Sequence, residues 1–339
     1  MIEKEVLSKI GINRSEELTN EDILNCRMSV AKIYDGQSFL MSFKERCFLV
    51  QGDITAIKGR AKSGKTHFLT VLIAALLNGK FSQYKALEND LSILHIDTEQ
   101  GMLNFQTIIK KALKMGGFSD ARDHDRLHTF SLREISAKER TRAVVVLVEA
   151  YSPDVLIIDG VRDLLYDFND ITQSNNVINL LMALSKQKKC AILTVLHENK
   201  ADNNMRGHLG TELLNKCAEV FQVSRSGNDE ESYYKVSQTE TRNLPIDDFT
   251  FSIGEDGLPA EVVITPQLSM SEKKEIEINK NMSEILQTND GITYSKLTDL
   301  YMERFAVAER TAKSHIKIAL DNKEILRDEN GLYHRRIYV

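Results

Sequence analysis

Two stretches of the chain, "DVLIID" at 154–159 and "AILTVLH" at 191–197, are almost uninterrupted apolar runs. A strand with one wet face alternates apolar and polar side chains. A continuous run of β-formers suits a strand covered on both faces, as in the interior of a parallel sheet. Runs of this kind predict strands over Asp53–Lys58, Leu91–Asp97, Arg126–Phe130, Val155–Asp159, Ala191–Leu196 and Val220–Ser224. Helical stretches separate them. "KTHFLTVLIAALLNG" ends in Gly79, "GMLNFQTIIKKALKMGG" ends in a glycine pair, and "SAKERTRAVVVLVEAY" opens with a Ser136–Glu139 capping box. Strand and helix in alternation predict an α/β fold, with a mainly parallel twisted sheet flanked by helices and right-handed crossovers. "SYYKVSQTE" and "DFTFSI", bounded by turn residues, predict antiparallel strands at one edge.

The 339 residues accommodate one such domain and a small second one. The composition changes near Gln267, where "SEKKEIEINKN" reads as a linker or a solvated helix. The expected division is an N-terminal segment over 1–29, a main domain over 30–266, a linker over 267–281 and a small domain over 282–339. A net charge of −5 excludes coating of nucleic acid by bulk charge and leaves room for a local basic site. The four cysteines, Cys26, Cys47, Cys190 and Cys217, form no CxxC pair, so reduced thiols are expected rather than a zinc site. The opening lacks a signal-peptide core, and no apolar run nears the roughly 18 residues that span a bilayer. A cytoplasmic protein without a membrane partner is expected.

Gly59-x4-Gly64-Lys65-Thr66 matches the phosphate-binding P-loop, with a predicted strand running in and an apolar helix running out. Its glycines let backbone N–H groups approach phosphate oxygens, and the helix N-terminus adds partial positive charge. Gly59, Arg60, Ala61, Lys62, Ser63, Gly64, Lys65, Thr66 and His67 therefore form the expected ATP cradle. Lys65 should reach the β- and γ-phosphates, and Thr66 should hold Mg²⁺. Asp159, at the C-terminal end of a predicted strand, is the expected second magnesium residue. Gly160 follows it, so a water-activating carboxylate must come from elsewhere. Asp97 and Glu99 in "LHIDTEQG", also at a strand end, are placed to supply it.

At this point the sequence resembles the RecA-like ATPases, whose catalytic glutamate lies in such an Asp-x-Glu segment; Glu99 matches it. The resemblance covers about residues 30–265 and implies a RecA-like P-loop core. His197, ending "AILTVLH", occupies the position of a γ-phosphate sensor, for which RepA-type plasmid helicases use a histidine. The following "NKADNNMRGHLGTEL" corresponds to a loop facing a central channel, where Lys200 and Arg206 would meet single-stranded DNA. In "KVSQTETRNLP" Arg242 matches the arginine finger that reaches a neighbour's ATP site. Glu240 stands where a lysine is common, so the finger would be single. The resemblance is greatest to RepA-type replicative helicases of bacterial mobile elements. It implies a homo-oligomer, most simply a hexamer. An ATP-switched DNA-binding regulator or loader without unwinding is the alternative, and a strand-exchange recombinase is a third reading.

The last fifty residues carry a helix with Leu297, Leu300 and Tyr301, then "ERTAKSHIKIALDNKEILR", then a hairpin with Asn330-Gly331 at its tip. This resembles a winged helix. The resemblance implies a second helix able to enter a major groove and a wing beside the backbone, with Lys313, Lys317, Arg335 and Arg336 as the DNA-contact candidates. A protein-binding winged helix is the competing reading.

Overall fold

The computed structural model describes residues 26–34, 36–198, 205, 207–227, 232–263 and 270–336 (270–273 by backbone alone), with residues 20 and 24. The chain divides into two compact units, Met1–Val263 and Ile264–Val339.

The strands described in the first unit begin with a hairpin, β1 (Phe39–Phe43) and β2 (Arg46–Val50). The phosphate-loop strand β3 (Ile54–Gly59) and helix α1 (Lys65–Asn78) follow. Then come β4 (Lys80–Phe81), β5 (Tyr84–Ala86), β6 (Ile93–Asp97), α2 (Met102–Met115), β7 (Leu127–Ser131), α3 (Ala137–Tyr151) and β8 (Val155–Asp159). A 3-10 turn over Val161–Leu164 leads to α4 (Ile171–Lys188), β9 (Ala191–His197), α5 (Gly207–Lys216) and β10 (Glu219–Ser226). Strands β11 (Tyr233–Thr241), β12 (Phe249–Ile253) and β13 (Pro259–Glu261) complete the unit. Among the described residues the main sheet has nine strands in the order β13-β12-β11-β10-β3-β9-β8-β6-β7. The six from β10 to β7 are parallel, and β11, β12 and β13 extend one edge antiparallel.

Alternation along each central strand feeds two cores. Ile57, Ile93, Val155, Ile157 and Leu193 pack toward α1 and α2, whereas Ala56, Leu94, Ile96, Leu156, Ile158 and Ile192 pack toward α3, α4 and α5. That double covering is why these strands read as continuous apolar runs. Helix α1 is apolar nearly all round, since a second sheet, β2-β1-β5-β4, contributes Leu40, Phe43, Phe48 and Tyr84 to the same core. Tyr84 stacks edge-on against Phe249 at 5.0 Å and Phe48 against Phe221 at 5.4 Å.

The structure departs from the sequence expectation in three places. The small sheet was not foreseen. In the polar stretch after His197, residues 207–216 form α5 rather than loop, because Leu209, Gly210 and Leu213 are buried on one face. In the second unit, α6 (Met270–Thr288) runs through the expected linker. Its Ile278, Met282, Ile285 and Leu286 fall on one face and enter the core.

The second unit continues with α7 (Tyr294–Phe305), α8 (Glu309–Asp321) and a hairpin of β14 (Ile325–Arg327) and β15 (Tyr333–Arg335). Leu297, Tyr301, Ala312, Ile316, Ala319, Ile325 and Tyr333 fill its core. Thr293 caps α7 by accepting from the Lys296 N–H at 3.4 Å. His334 pins the hairpin: its Nδ1 lies 3.2 Å from Asp290 Oδ2 and its Nε2 3.2 Å from Asp328 Oδ2.

The pin should make the stability of this unit depend on pH. Asp290 and Asp328 raise His334 above its ordinary 6.5. The backbone N–H groups of Arg335 and Leu332, and then His334, hold Asp290 and Asp328 below 3.8. Stabilisation by protonated His334 is fully present below 6.5 and is lost as pH rises through its raised folded value. The carboxylate contribution is present above 3.8 and is lost as pH falls through the lowered values. The second unit should therefore melt at a lower temperature at pH 8 than at pH 6. His334→Asn should flatten that difference in thermal unfolding of the full chain. An equal pH slope in both proteins would remove the pin from the account.

Candidate functional site

Strands β3, β6, β8 and β9 all end on the same side of the sheet, and their ends build one cleft. Strand β3 delivers the chain to Gly59, which is buried between neighbours. A Cβ there would lie 2.4 Å from Val223 O and 2.5 Å from Ser63 Oγ, so a larger residue does not fit. Gly64 has φ of 94°, and its Cβ would meet the Tyr234 ring at 2.3 Å; glycine is required on both grounds. Gly64 is also the N-cap of α1, with no side-chain cap and no acidic residue in the first turn. The first N–H groups of α1 and the positive end of its dipole are left to a ligand, as an anion site needs.

Lys65 folds back over this turn. Its ammonium donates to Gly59 O at 3.0 Å and Arg60 O at 2.8 Å, and sits 3.2 Å from His197 Nδ1. Burial lowers its pKa, against the opposing pull of Glu99, Asp159 and Glu198. The other ring nitrogen of His197 lies 3.2 Å from Glu99 Oε2. Lys65, His197 and Glu99 thus form a continuous run from the phosphate loop to the end of β6. The hydrogen bond from His197 is the chief reason that Glu99 lies below its ordinary 4.5.

Local bonding fixes Glu99. Asp97 Oδ1 accepts the N–H groups of Glu99 at 2.9 Å and Gln100 at 2.6 Å, turning the chain after β6. Thr98 stitches this turn to β8: its N–H donates to Asp159 O at 3.0 Å and its hydroxyl to Gly160 O at 2.9 Å. Gly160, at φ of 97°, has no room for a Cβ beside Thr98 Oγ1 and Glu99 Cγ. Asp159 is 3% exposed. Burial, reinforced by Asp97 and Glu99, raises its pKa to about 8, and burial raises Asp97 to about 6. Each costs less once a cation is present.

The residues fit ATP and Mg²⁺. Asp159 Oδ2 and Ser63 Oγ are enclosed without a partner, beside an uncapped helix N-terminus. Lys62, Ser63, Gly64, Lys65, Thr66, His67, Glu99, Asp159 and His197 line the cleft, together with Gln100 and Tyr234, which the sequence reading did not single out. Tyr234 comes from β11 and packs 5.8 Å from the His67 ring. Gly59, Arg60 and Ala61 form the approach to the loop rather than its lining.

Arg242 is placed elsewhere. Thr241 at the end of β11 pairs with Glu219, which pairs with Thr55 at the start of β3. Four residues of strand, roughly 13 Å, separate Thr55 from Gly59. Arg242 is exposed at the opposite end of the sheet from its own phosphate loop, donating to Asn215 O at 3.1 Å and Lys216 O at 3.2 Å at the end of α5. Glu219, fully buried, accepts the Leu49 N–H at 3.0 Å and the Asn243 side chain at 3.5 Å, which anchors the Arg-Asn turn.

Lys200 and Arg206 lie outside the described residues. Glu198, next to His197, forms a β-bridge with Met205. In the second unit Lys313 pairs with Glu309 at 2.6 Å along α8, Lys317 and Arg335 are exposed, and Arg336 donates to Lys323 O at 3.3 Å. Cys190 and Cys217 are buried and Cys47 is exposed, and among the described residues no helix is long and apolar enough to cross a membrane.

A glycine cradle on a helix N-terminus, with its lysine, a strand-end aspartate and a nearby glutamate, defines a P-loop ATPase domain of the RecA-like kind. Residues 46–203 match the model of the family described as AAA domain, which supports nucleotide binding, typically with Mg²⁺, and ATP hydrolysis. Comparison with curated proteins finds no match.

Proposed function

We propose that the chain is a DNA-linked motor ATPase that works as a ring of copies, of the kind found in the RepA-type replicative helicases of bacterial mobile elements. The observation that carries this reading is the Lys65–His197–Glu99 run. It ties the phosphate-binding lysine to the carboxylate that faces the same cleft, through a residue at the root of the 199–204 segment. Glu99 accepts a proton from the attacking water. Lys65 leaves Gly59 O and Arg60 O to meet the β- and γ-phosphates. Thr66 and Asp159 would hold Mg²⁺, which supplies charge neutralisation at the phosphate oxygens. His197 exchanges its Lys65 and Glu99 contacts as the γ-phosphate comes and goes. The bridge from Glu198 to Met205 passes that exchange to the chain that follows each of them, which carries Lys200 and Arg206.

Arg242 completes a neighbouring copy's site, in keeping with its exposure far from its own. The second unit, three helices and a hairpin, supports a winged helix whose exposed Lys317 and Arg335 are available to duplex DNA.

The test is the steady-state ATPase rate against single-stranded DNA, followed by strand separation of a forked duplex. Stimulation by DNA together with ATP-dependent unwinding is expected. Stimulation without unwinding would move the chain to the regulator or loader class, and a flat response would end the motor reading.

A further inference from the structure

One buried cluster next to the cleft shares Asp159 with the ATPase site but adds His95 and the second oxygen of Asp97, which that reading does not use. Ile93, His95 and Asp97 share a face of β6, and Val155, Ile157 and Asp159 share the matching face of β8. In the parallel register His95 stands beside Ile157 and Asp97 beside Asp159. One ligand atom from each of His95, Asp97 and Asp159 lies within 4.8 Å of the others. His95 and Asp97 are 0% exposed. Both ring nitrogens of His95, Oδ2 of Asp97 and Oδ2 of Asp159 have no hydrogen-bond partner. Asp97 uses its other oxygen to hold the turn after β6. Phe105 packs edge-on against the imidazole at 4.9 Å and fixes the ring.

A structural histidine in a core normally donates to a carbonyl or carboxylate, and this one donates to nothing. Four enclosed polar atoms in one place, two of them on neighbouring carboxylates, are unfavourable unless something satisfies them together. A divalent cation does so. The donor set is one imidazole nitrogen and two carboxylate oxygens. It suits Mn²⁺ and the transition ions near it better than Mg²⁺, which prefers oxygen ligands and retained water.

We propose that His95, Asp97 and Asp159 form an inner site for a divalent transition cation, one layer beneath the phosphate cleft and filled without nucleotide. Of the three, Asp159 alone lines the cleft, so its carboxylate divides the inner site from the phosphate side. An inner ion would brace the ends of β6 and β8, the two strands that position Glu99 and Asp159.

The experiment uses the full chain, freed of metal by chelation and free of nucleotide, titrated with Mn²⁺ against excess Mg²⁺. Bound Mn²⁺ is read by pulsed electron paramagnetic resonance for coupling to a ligating nitrogen. One Mn²⁺ per chain with directly bonded nitrogen is expected. His95→Leu should abolish the nitrogen coupling and weaken binding by at least about tenfold, the smallest effect common even for outer-shell changes. No Mn²⁺ uptake without nucleotide, Mn²⁺ bound without nitrogen coupling, or coupling that survives His95→Leu would each overturn the proposal. The wild-type spectrum decides the matter even if the variant fails to fold. A failure of the ATPase reading would instead appear as no nucleotide binding, with Mn²⁺ uptake intact.

Discussion

Glu99→Gln should lower the ATP hydrolysis rate by about 10²–10⁴-fold while leaving nucleotide binding nearly unchanged, since this is the span typical of losing a positioned general base. The substitution keeps the side-chain size and can still meet His197 Nε2, so the turn built by Asp97 and Thr98 should survive. What it removes is an ionised acceptor. Glu99 sits below its usual carboxylate range because His197 is bonded to it, so it is charged at neutral pH. That same bond limits its basicity, which is a reason for His197 to let go when phosphate engages Lys65. Rates and affinities must be measured together, the latter with a fluorescent ATP analogue. A rate within threefold of wild type would sink the base assignment. A parallel loss of binding would make Glu99 a structural prop for the loop.

How far the sequence carried this site depends on the physical signal each part sends. Strands β3, β6, β8 and β9 were legible because both faces are covered, which leaves continuous apolar runs. Gly59 to Thr66 was legible because only glycine tolerates the φ at Gly64 and the crowding at Gly59. The small sheet was not, since β4 and β5 are two and three residues long and β1 and β2 flank a charged turn. One signal for it lies in α1, which is apolar nearly all round; a helix of that kind needs a second layer over its outer face. Tyr234 was hidden for a different reason. It belongs to the antiparallel extension of the sheet, some 170 residues beyond Gly64, and only the nine-stranded order brings the two together. His95 was invisible as well, since a histidine inside "ILHID" looks like any strand residue until its unpartnered nitrogens are seen. Helix α6 was half-read: its charged first half is solvent-like, and its second half carries Ile278, Met282, Ile285 and Leu286 in helical register.

Arg242→Ala should lower hydrolysis by about 10³–10⁵-fold, the range associated with an arginine finger, and it should do so through a neighbour. The register of β11 against β10 and β3 holds Arg242 at the far end of the sheet from its own Gly59–Thr66 loop. No side chain spans that distance, so any direct effect on hydrolysis must act on another copy. Mixing separates this from a fold defect. Arg242→Ala and Glu99→Gln proteins are each expected to be nearly inactive. In a mixed ring, the phosphate site of an Arg242→Ala copy keeps Glu99 and can receive Arg242 from a Glu99→Gln neighbour. With equal amounts and random assembly into closed rings, about a quarter of the interfaces would be complete. The mixture should therefore recover a substantial part of wild-type ATPase activity, and recovery should require subunit exchange. If Arg242 served only its own chain, or only bound the end of α5 through Asn215 O and Lys216 O, no ratio of the two inactive proteins would restore turnover.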